Sequence, residues 1–339
     1  MPYAYFPQIY YFYPLNLPIM IKEPFLRNFS PFLKIIFFGL TVLATLLFTL
    51  LTGILLAYVF FGPDLLTQMM DMTGDIILSN IALQKYIQIV SQLGTFIFPA
   101  IIFAYLAGRN VPGWLNMDVR PRLLSLLLSF AAILALLPFV NWLMLVNEQV
   151  HLPGFLSGLE EWMRASEDQA QRIMDAFLGD TSIRGLVVNI FMIGIVAAVG
   201  EELVFRGVGI KLLDEWMHNR HLAVWISALA FSALHLQFYG FLPRAVLGVV
   251  LGYLFIWTGS LWVPIITHFL NNTLAVILMY LYNKGSITTH PDEFGSTGEW
   301  AMILLSVAVF AGIMGWIYLY EHKKRRLPEG ISLSEGDKV

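Results

Sequence analysis

From Ile35 to Phe61 the chain runs 27 residues without a charged side chain, and a stretch of that kind decides the solvent before anything else. A helix rises 1.5 Å per residue, so roughly 20 apolar residues cross a hydrocarbon core of about 30 Å. Comparable runs recur near 84–106, 123–146, 186–212, 222–238, 244–260, 262–282 and 300–320. With 58% hydrophobic and 13% charged residues and a mean hydropathy of +0.71, the balance is far from that of a water-soluble domain. The expected fold is all-α: a polytopic transmembrane helical bundle of about eight spans in a lipid bilayer. A net charge of −3 gives no electrostatic case for nucleic acid. The absence of cysteine excludes disulfides, thiolate metal sites and cysteine nucleophiles.

Charge in the connecting segments orients such a bundle. Lys22, Arg27 and Lys34 precede the first span, Arg109, Arg120 and Arg122 follow the second, and Lys323, Lys324, Arg325 and Arg326 follow the last. The alternate loops are acidic, with Asp64, Asp71 and Asp75 in one and Glu160, Glu161, Glu167 and Asp168 in another. The positive-inside rule then places both termini in the cytoplasm. The first 30 residues are aromatic and Pro-rich and lack the basic n-region and cleavage site of a signal peptide; Met20 is an alternative start. The polar tail after Arg326 is expected to be disordered. Within the long loop 147–184, the stretch 155–178 is amphipathic, and Phe155, Leu159, Trp162 and Met163 suggest a helix lying on the outer surface or capping the bundle. The expected organisation is an N-terminal segment 1–34, spans 1–3 with the outer loop over 35–183, a core over 184–284, and a last span with a basic tail over 285–339.

One span breaks the rule that ionisable groups avoid lipid. The run that begins at Gly185 is interrupted by Glu201, Glu202 and Arg206, and intramembrane charges are costly enough to need a reason. Glu202 and Arg206 are i and i+4 and share a helix face, which makes them a local ion pair. Glu201 lies about 100° around the helix and points elsewhere. His235 ends the segment FSALH, with Phe231 one turn below it, and His268 opens HFLNN, with Asn272 one turn beyond. Depths counted along the helices allow Glu201, His235, His268 and Asn272 to meet in a pocket reached from the cytoplasmic half. A carboxylate beside an imidazole suits hydrolysis: Glu201 accepts a proton from water while His235 holds that water. His268 and Asn272 can then donate hydrogen bonds to an oxyanion.

These motifs, E-E-x-x-x-R at Glu201–Arg206, F-x-x-x-H at Phe231–His235 and H-x-x-x-N at His268–Asn272, occur in the order found in the CPBP intramembrane proteases, and the chain resembles that family over about 190–282. The family includes the type II CAAX prenyl endopeptidases and the bacterial Abi proteins tied to bacteriocin processing and immunity. The resemblance implies a cell-membrane, multi-pass endopeptidase cutting a membrane-associated protein or peptide. It implies Glu201 and His235 as the water-activating pair and His268 and Asn272 as the oxyanion-stabilising pair. Glu202, Arg206 and Phe231 are left as supporting positions. It further implies catalysis without a metal cofactor. Asn271 precedes Asn272, so which amide faces the pocket stays open.

Two other readings remain at this point. A zinc hydrolase would use Glu201, His235 and His268 as ligands, since two histidines and a glutamate are a catalytic zinc set. A non-catalytic membrane scaffold or immunity protein would keep the helices without depending on Glu201. Arg244 reads as an interface anchor, and the Trp262–Pro264 step as a helix start.

Overall fold

The structure is a computed structural model and describes residues 23–62, 80–293 and 298–326. The expectations for the aromatic N-terminal segment with Met20, for Asp64, Asp71 and Asp75, and for the polar tail fall outside these residues. Among the described residues there is no strand, and the chain is an all-α bundle. Among the described residues nine helices longer than ten residues carry it: α1 (Pro31–Phe61), α2 (Ile81–Gly108), α3 (Leu123–Glu148), α4 (Ser157–Leu178), α5 (Ile183–Met217), α6 (Arg220–Ala233), α7 (Phe241–Thr258), α8 (Trp262–Asn283) and α9 (Trp300–Arg326).

Helix starts are written locally. The side chains of Ser30, Asn80, Ser182 and Asn219 accept hydrogen bonds from the backbone N–H three residues on, satisfying donors that a helix start leaves open. Trp262 opens α8 as expected, and its Nε1 donates to the Met117 carbonyl at 2.8 Å. α7 ends on Gly259 at φ 70°, the left-handed conformation glycine adopts without penalty.

Seven of these helices are long and apolar enough to cross a membrane: α1, α2, α3, α5, α7, α8 and α9. The expected fifth span, 222–238, is corrected by the structure. α6 has 14 residues, about 21 Å at 1.5 Å per residue, against a core of roughly 30 Å. It stops at Ala233 because the chain then turns, with Leu236 at φ 53°, and a pinned loop runs to Phe241. Hydropathy alone cannot register such a stop, because the loop residues Leu234, Leu236, Phe238 and Tyr239 are themselves apolar.

Contacts between helix ends define the two faces of the bundle. At one end Lys34 pairs with Glu215 at 2.6 Å, Arg122 pairs with Glu321, and Leu26 N–H donates to the Leu106 carbonyl. This end carries the basic segments. At the other, Lys85 Nζ and Asn189 Nδ2 both donate to the Phe177 carbonyl at 2.8 Å, and Asn283 Nδ2 donates to Leu178. These bonds fasten the C-terminus of α4 to α2, α5 and α8. Its N-terminal half lies on the 234–240 loop, with Trp162 against Phe238 at 5.3 Å between ring centroids. The amphipathic stretch is therefore a helix capping the second end, while Phe155 and Leu159 stay exposed.

Two helices depart from regular α geometry where they flank the acidic pair. α2 widens to π-helix at Leu93–Ile97, and α5 does so at Ile190–Ala197 and Leu203–Gly209. α2 and α5 touch at Gly200, where an added Cβ would sit 2.9 Å from Phe96 Cβ. That approach requires glycine.

Candidate active site

α5 delivers Glu201, Glu202 and Arg206 into the bundle interior, all three buried. The expected Glu202–Arg206 ion pair is present: Arg206 Nη1 donates to Glu202 Oε1 at 2.6 Å, and Arg206 Nη2 donates to the Gly248 carbonyl at 2.9 Å. The guanidinium also lies 4.9 Å from the centre of the Phe231 ring, within cation–π range. A buried charge is tolerated only when paired and hydrogen-bonded, and Arg206 meets that condition three ways.

Glu202 has a second partner that sequence reasoning missed. His268, buried on α8, brings Nδ1 to 2.9 Å from Glu202 Oε1. A carboxylate only accepts, so Nδ1 carries the proton of this bond. The ring's other nitrogen, Nε2, then turns toward Glu201, 3.8 Å from its Oε2. Glu202 is thus the hinge of the site, tying Arg206 on its own helix to His268 on α8. His268 is 66 residues from Glu202 in sequence, which is why spacing within α5 could not reveal the contact.

His235 lies just past the end of α6, not inside a span. Its Nδ1 is 2.8 Å from the Phe231 carbonyl, which accepts and so fixes the hydrogen on Nδ1; in the neutral ring Nε2 is left as an acceptor. Phe231 is the centre of the aromatic packing. Its ring contacts His235 at 5.0 Å, His268 at 5.9 Å and Phe205 at 5.3 Å.

The loop after His235 is held from three directions. Asn147 Nδ2 donates to the Phe238 and Tyr239 carbonyls, each at 2.6 Å. Glu167 of α4 accepts from Tyr239 N–H at 3.2 Å. Arg244 donates to the carbonyl and the side-chain oxygen of Gln237 at 3.0 and 2.7 Å. Arg244 is thus a clamp on this loop, where the sequence suggested an interface anchor.

Asn272 donates from Nδ2 to the Ile193 carbonyl at 3.0 Å, and Asn271 Nδ2 reaches Asn272 Oδ1 at 3.4 Å. Of the two amides, Asn272 is the one that reaches α5.

A cavity of about 370 Å³ opens beside Glu201 and His235, walled by Phe96, Phe205, Phe231 and Leu234 and by Gln88, Ser91, Gln92 and Thr95 of α2. Its lining departs from the expected direction of approach. Gln88 is seven residues, about 10 Å, from the start of α2, so the polar wall leads toward the end capped by α4 and away from the basic end. Among the described residues no three His, Cys, Asp or Glu side chains are grouped to hold a metal ion.

All seven motif residues fall within 183–274, the segment that matches the family model described as type II CAAX prenyl endopeptidase Rce1-like. That segment is similar to an Rce1-like domain. The chain is 26% identical over 194 residues to an uncharacterized 24.3 kDa protein of Escherichia coli, a match covering 54% of this chain and 87% of that protein. It is 30% identical over 86 residues to the uncharacterized protein YpbD of Bacillus subtilis (strain 168), covering 24% of this chain and 41% of that protein. No solved structure matches it. The matched family is one of proteases, and with seven apolar helices among the described residues the chain is a multi-pass membrane protein.

Proposed function

We propose that the protein is an intramembrane endopeptidase that hydrolyses a peptide bond of a membrane-associated protein or peptide with water activated by Glu201 and His235. The observation that carries this reading is that a buried carboxylate, Glu201, lines one cavity together with His235 while standing 3.8 Å from His268. Water in that cavity gives a proton to Glu201 as it attacks the scissile carbonyl carbon, and His235 Nε2 accepts the water's second O–H and fixes its direction. The tetrahedral oxyanion then needs donors. His268 supplies Nε2–H when its ring is protonated on both nitrogens, a charge balanced by ionised Glu201 before the attack and by the oxyanion after it, since Glu202 already answers Arg206. Asn272 keeps one amide N–H beyond the one given to Ile193. Collapse expels the amine, which takes the proton held by Glu201.

No step needs a metal. The Rce1-like match supports a prenylated C-terminal peptide as the first substrate to try. The test is cleavage of a quenched fluorescent peptide ending in a farnesylated CAAX sequence by purified protein in detergent. Wild type is expected to cut it and to keep cutting after exhaustive EDTA treatment. Glu201→Gln, which keeps volume and removes the base, should lose about 10²- to 10⁴-fold in rate with an unchanged melting curve. A fully active Glu201→Gln protein ends the general-base assignment. Activity lost to EDTA and restored only by zinc ends the metal-free one.

A further inference from the structure

The polar wall of the cavity has no role in the chemistry above. α2 is apolar along most of its length, yet Gln88, Ser91, Gln92 and Thr95 fall at i, i+3, i+4 and i+7, one face of the helix, and all four line the cavity with Glu201 and His235. Ser91 Oγ donates to the Gln88 carbonyl at 2.9 Å within the helix. Gln92 is different: its Oε1 is buried and has no hydrogen-bond partner. Buried acceptors are nearly always satisfied, and this one belongs to a side chain that lines the space where a substrate must lie.

We propose that this stripe is the substrate-backbone site of the protease, with Gln92 Oε1 accepting a hydrogen bond from a main-chain N–H of an extended peptide. The inference rests on the endopeptidase reading and adds how the substrate is held. Two features of the stripe match a peptide backbone. Gln88 and Gln92 are four residues apart, about 6 Å along the helix, and alternate residues on one edge of an extended chain repeat at about 6.6 Å. A carboxamide offers both a donor and an acceptor, as each peptide unit does. The wall carries no lysine or arginine, so it suits neutral main chain and not a terminal carboxylate. Affinity from such a site is largely blind to side chains, as in strand addition.

The experiment uses the farnesylated peptide and a set of analogues in which one backbone amide at a time is replaced by an ester, which removes one N–H. Affinities are read by fluorescence anisotropy in the Glu201→Gln background, and KM and kcat in the otherwise wild-type protein. Gln92→Leu should weaken binding about tenfold, the worth of one hydrogen bond near the upper end of the usual range, and raise KM with kcat within about twofold. One ester analogue should bind the Gln92-containing protein about tenfold more weakly than the amide does, and Gln92→Leu no more weakly. Ser91→Ala and Thr95→Val check that the wall tolerates apolar replacement without loss of fold. Wild type that cuts the peptide while Gln92→Leu binds it equally well, or while every ester loses equally in both proteins, overturns the backbone site and leaves the protease intact. Wild type that neither binds nor cuts removes the endopeptidase reading, and this inference falls with it.

Discussion

Glu201 and Glu202 are neighbours in sequence and have opposite surroundings. Glu202 Oε1 accepts from both Arg206 and His268; Glu201 has only the long approach of His268 and an open cavity on its other side. Substitution should separate them. Glu202→Gln leaves Arg206, 1% exposed, without its counter-charge, and breaking a buried pair from one side costs about 3–5 kcal/mol. The expected result is a lower melting temperature together with lost activity, whereas Glu201→Gln loses activity alone. Paired melting and cleavage curves decide it; equal stability of the two variants would contradict the division of roles. This division was partly legible in the sequence. The i, i+4 spacing of Glu202 and Arg206 fixes their pairing on one helix, and the HxxxN spacing brings His268 and Asn272 to one side of another. What spacing cannot supply is the Glu202–His268 contact, which depends on how α5 and α8 cross, or the carbonyl of Ile193 that engages Asn272.

At the scale of elements, the short helix α6 and its loop matter most. Leu236 is left-handed at φ 53°, a conformation that costs a residue with a Cβ roughly 1–2 kcal/mol. The Asn147, Glu167 and Arg244 bonds hold the loop in it. Asn147→Ala removes two of these bonds and leaves the Phe238 and Tyr239 carbonyls without that donor. We expect a loss of about 1–3 kcal/mol and a lower kcat with nearly unchanged KM, because His235 sits at the start of the same loop. An unchanged kcat would show that His235 is positioned by Phe231 alone.

The helix α4 adds a pH dependence at its own start. Arg164 foremost, then His151 and the Leu152 N–H, hydrogen-bond Glu160 and hold its carboxyl at about 2, below the ordinary 4.5. A lowered carboxylate contributes stability above its unfolded value and loses it as pH falls through its folded one. The anchoring of α4 should therefore be constant from pH 7 to 5 and weaken from about pH 4.5 toward 2. Trp162 fluorescence in a variant lacking the other tryptophans of the second end reads this directly, and Glu160→Gln should abolish the transition. The amphipathic pattern made α4 visible in the sequence; that it caps the loop following His235 was not, because Phe238 and Tyr239 read as part of a span.

For the whole molecule the open question is the route of entry. Sequence charge assigns the basic end to the cytoplasm and suggested that the pocket opens there. The structure sets the polar wall of α2 on the other half of the bundle: Gln88 is exposed about 10 Å from the α4-capped end, and α6 stops short so that Leu234, 65% exposed, borders the same cavity. Water and substrate are then expected from the α4 side, through the gap between α2 and the end of α6. A chain without cysteine lets this be measured with single replacements and a membrane-impermeant maleimide. Arg120→Cys marks the basic end and Glu161→Cys the capped end, both at exposed positions. Gln88→Cys should be labelled from whichever side labels Glu161→Cys and be protected from the side that labels Arg120→Cys. The same three variants fix the orientation in right-side-out and inverted vesicles, with the positive-inside rule placing Arg120 in the cytoplasm. Labelling of Gln88→Cys together with Arg120→Cys would return the mouth to the basic end. Protection from both sides would mean that no aqueous path reaches the wall, and a hydrolase without water at Glu201 would no longer be tenable.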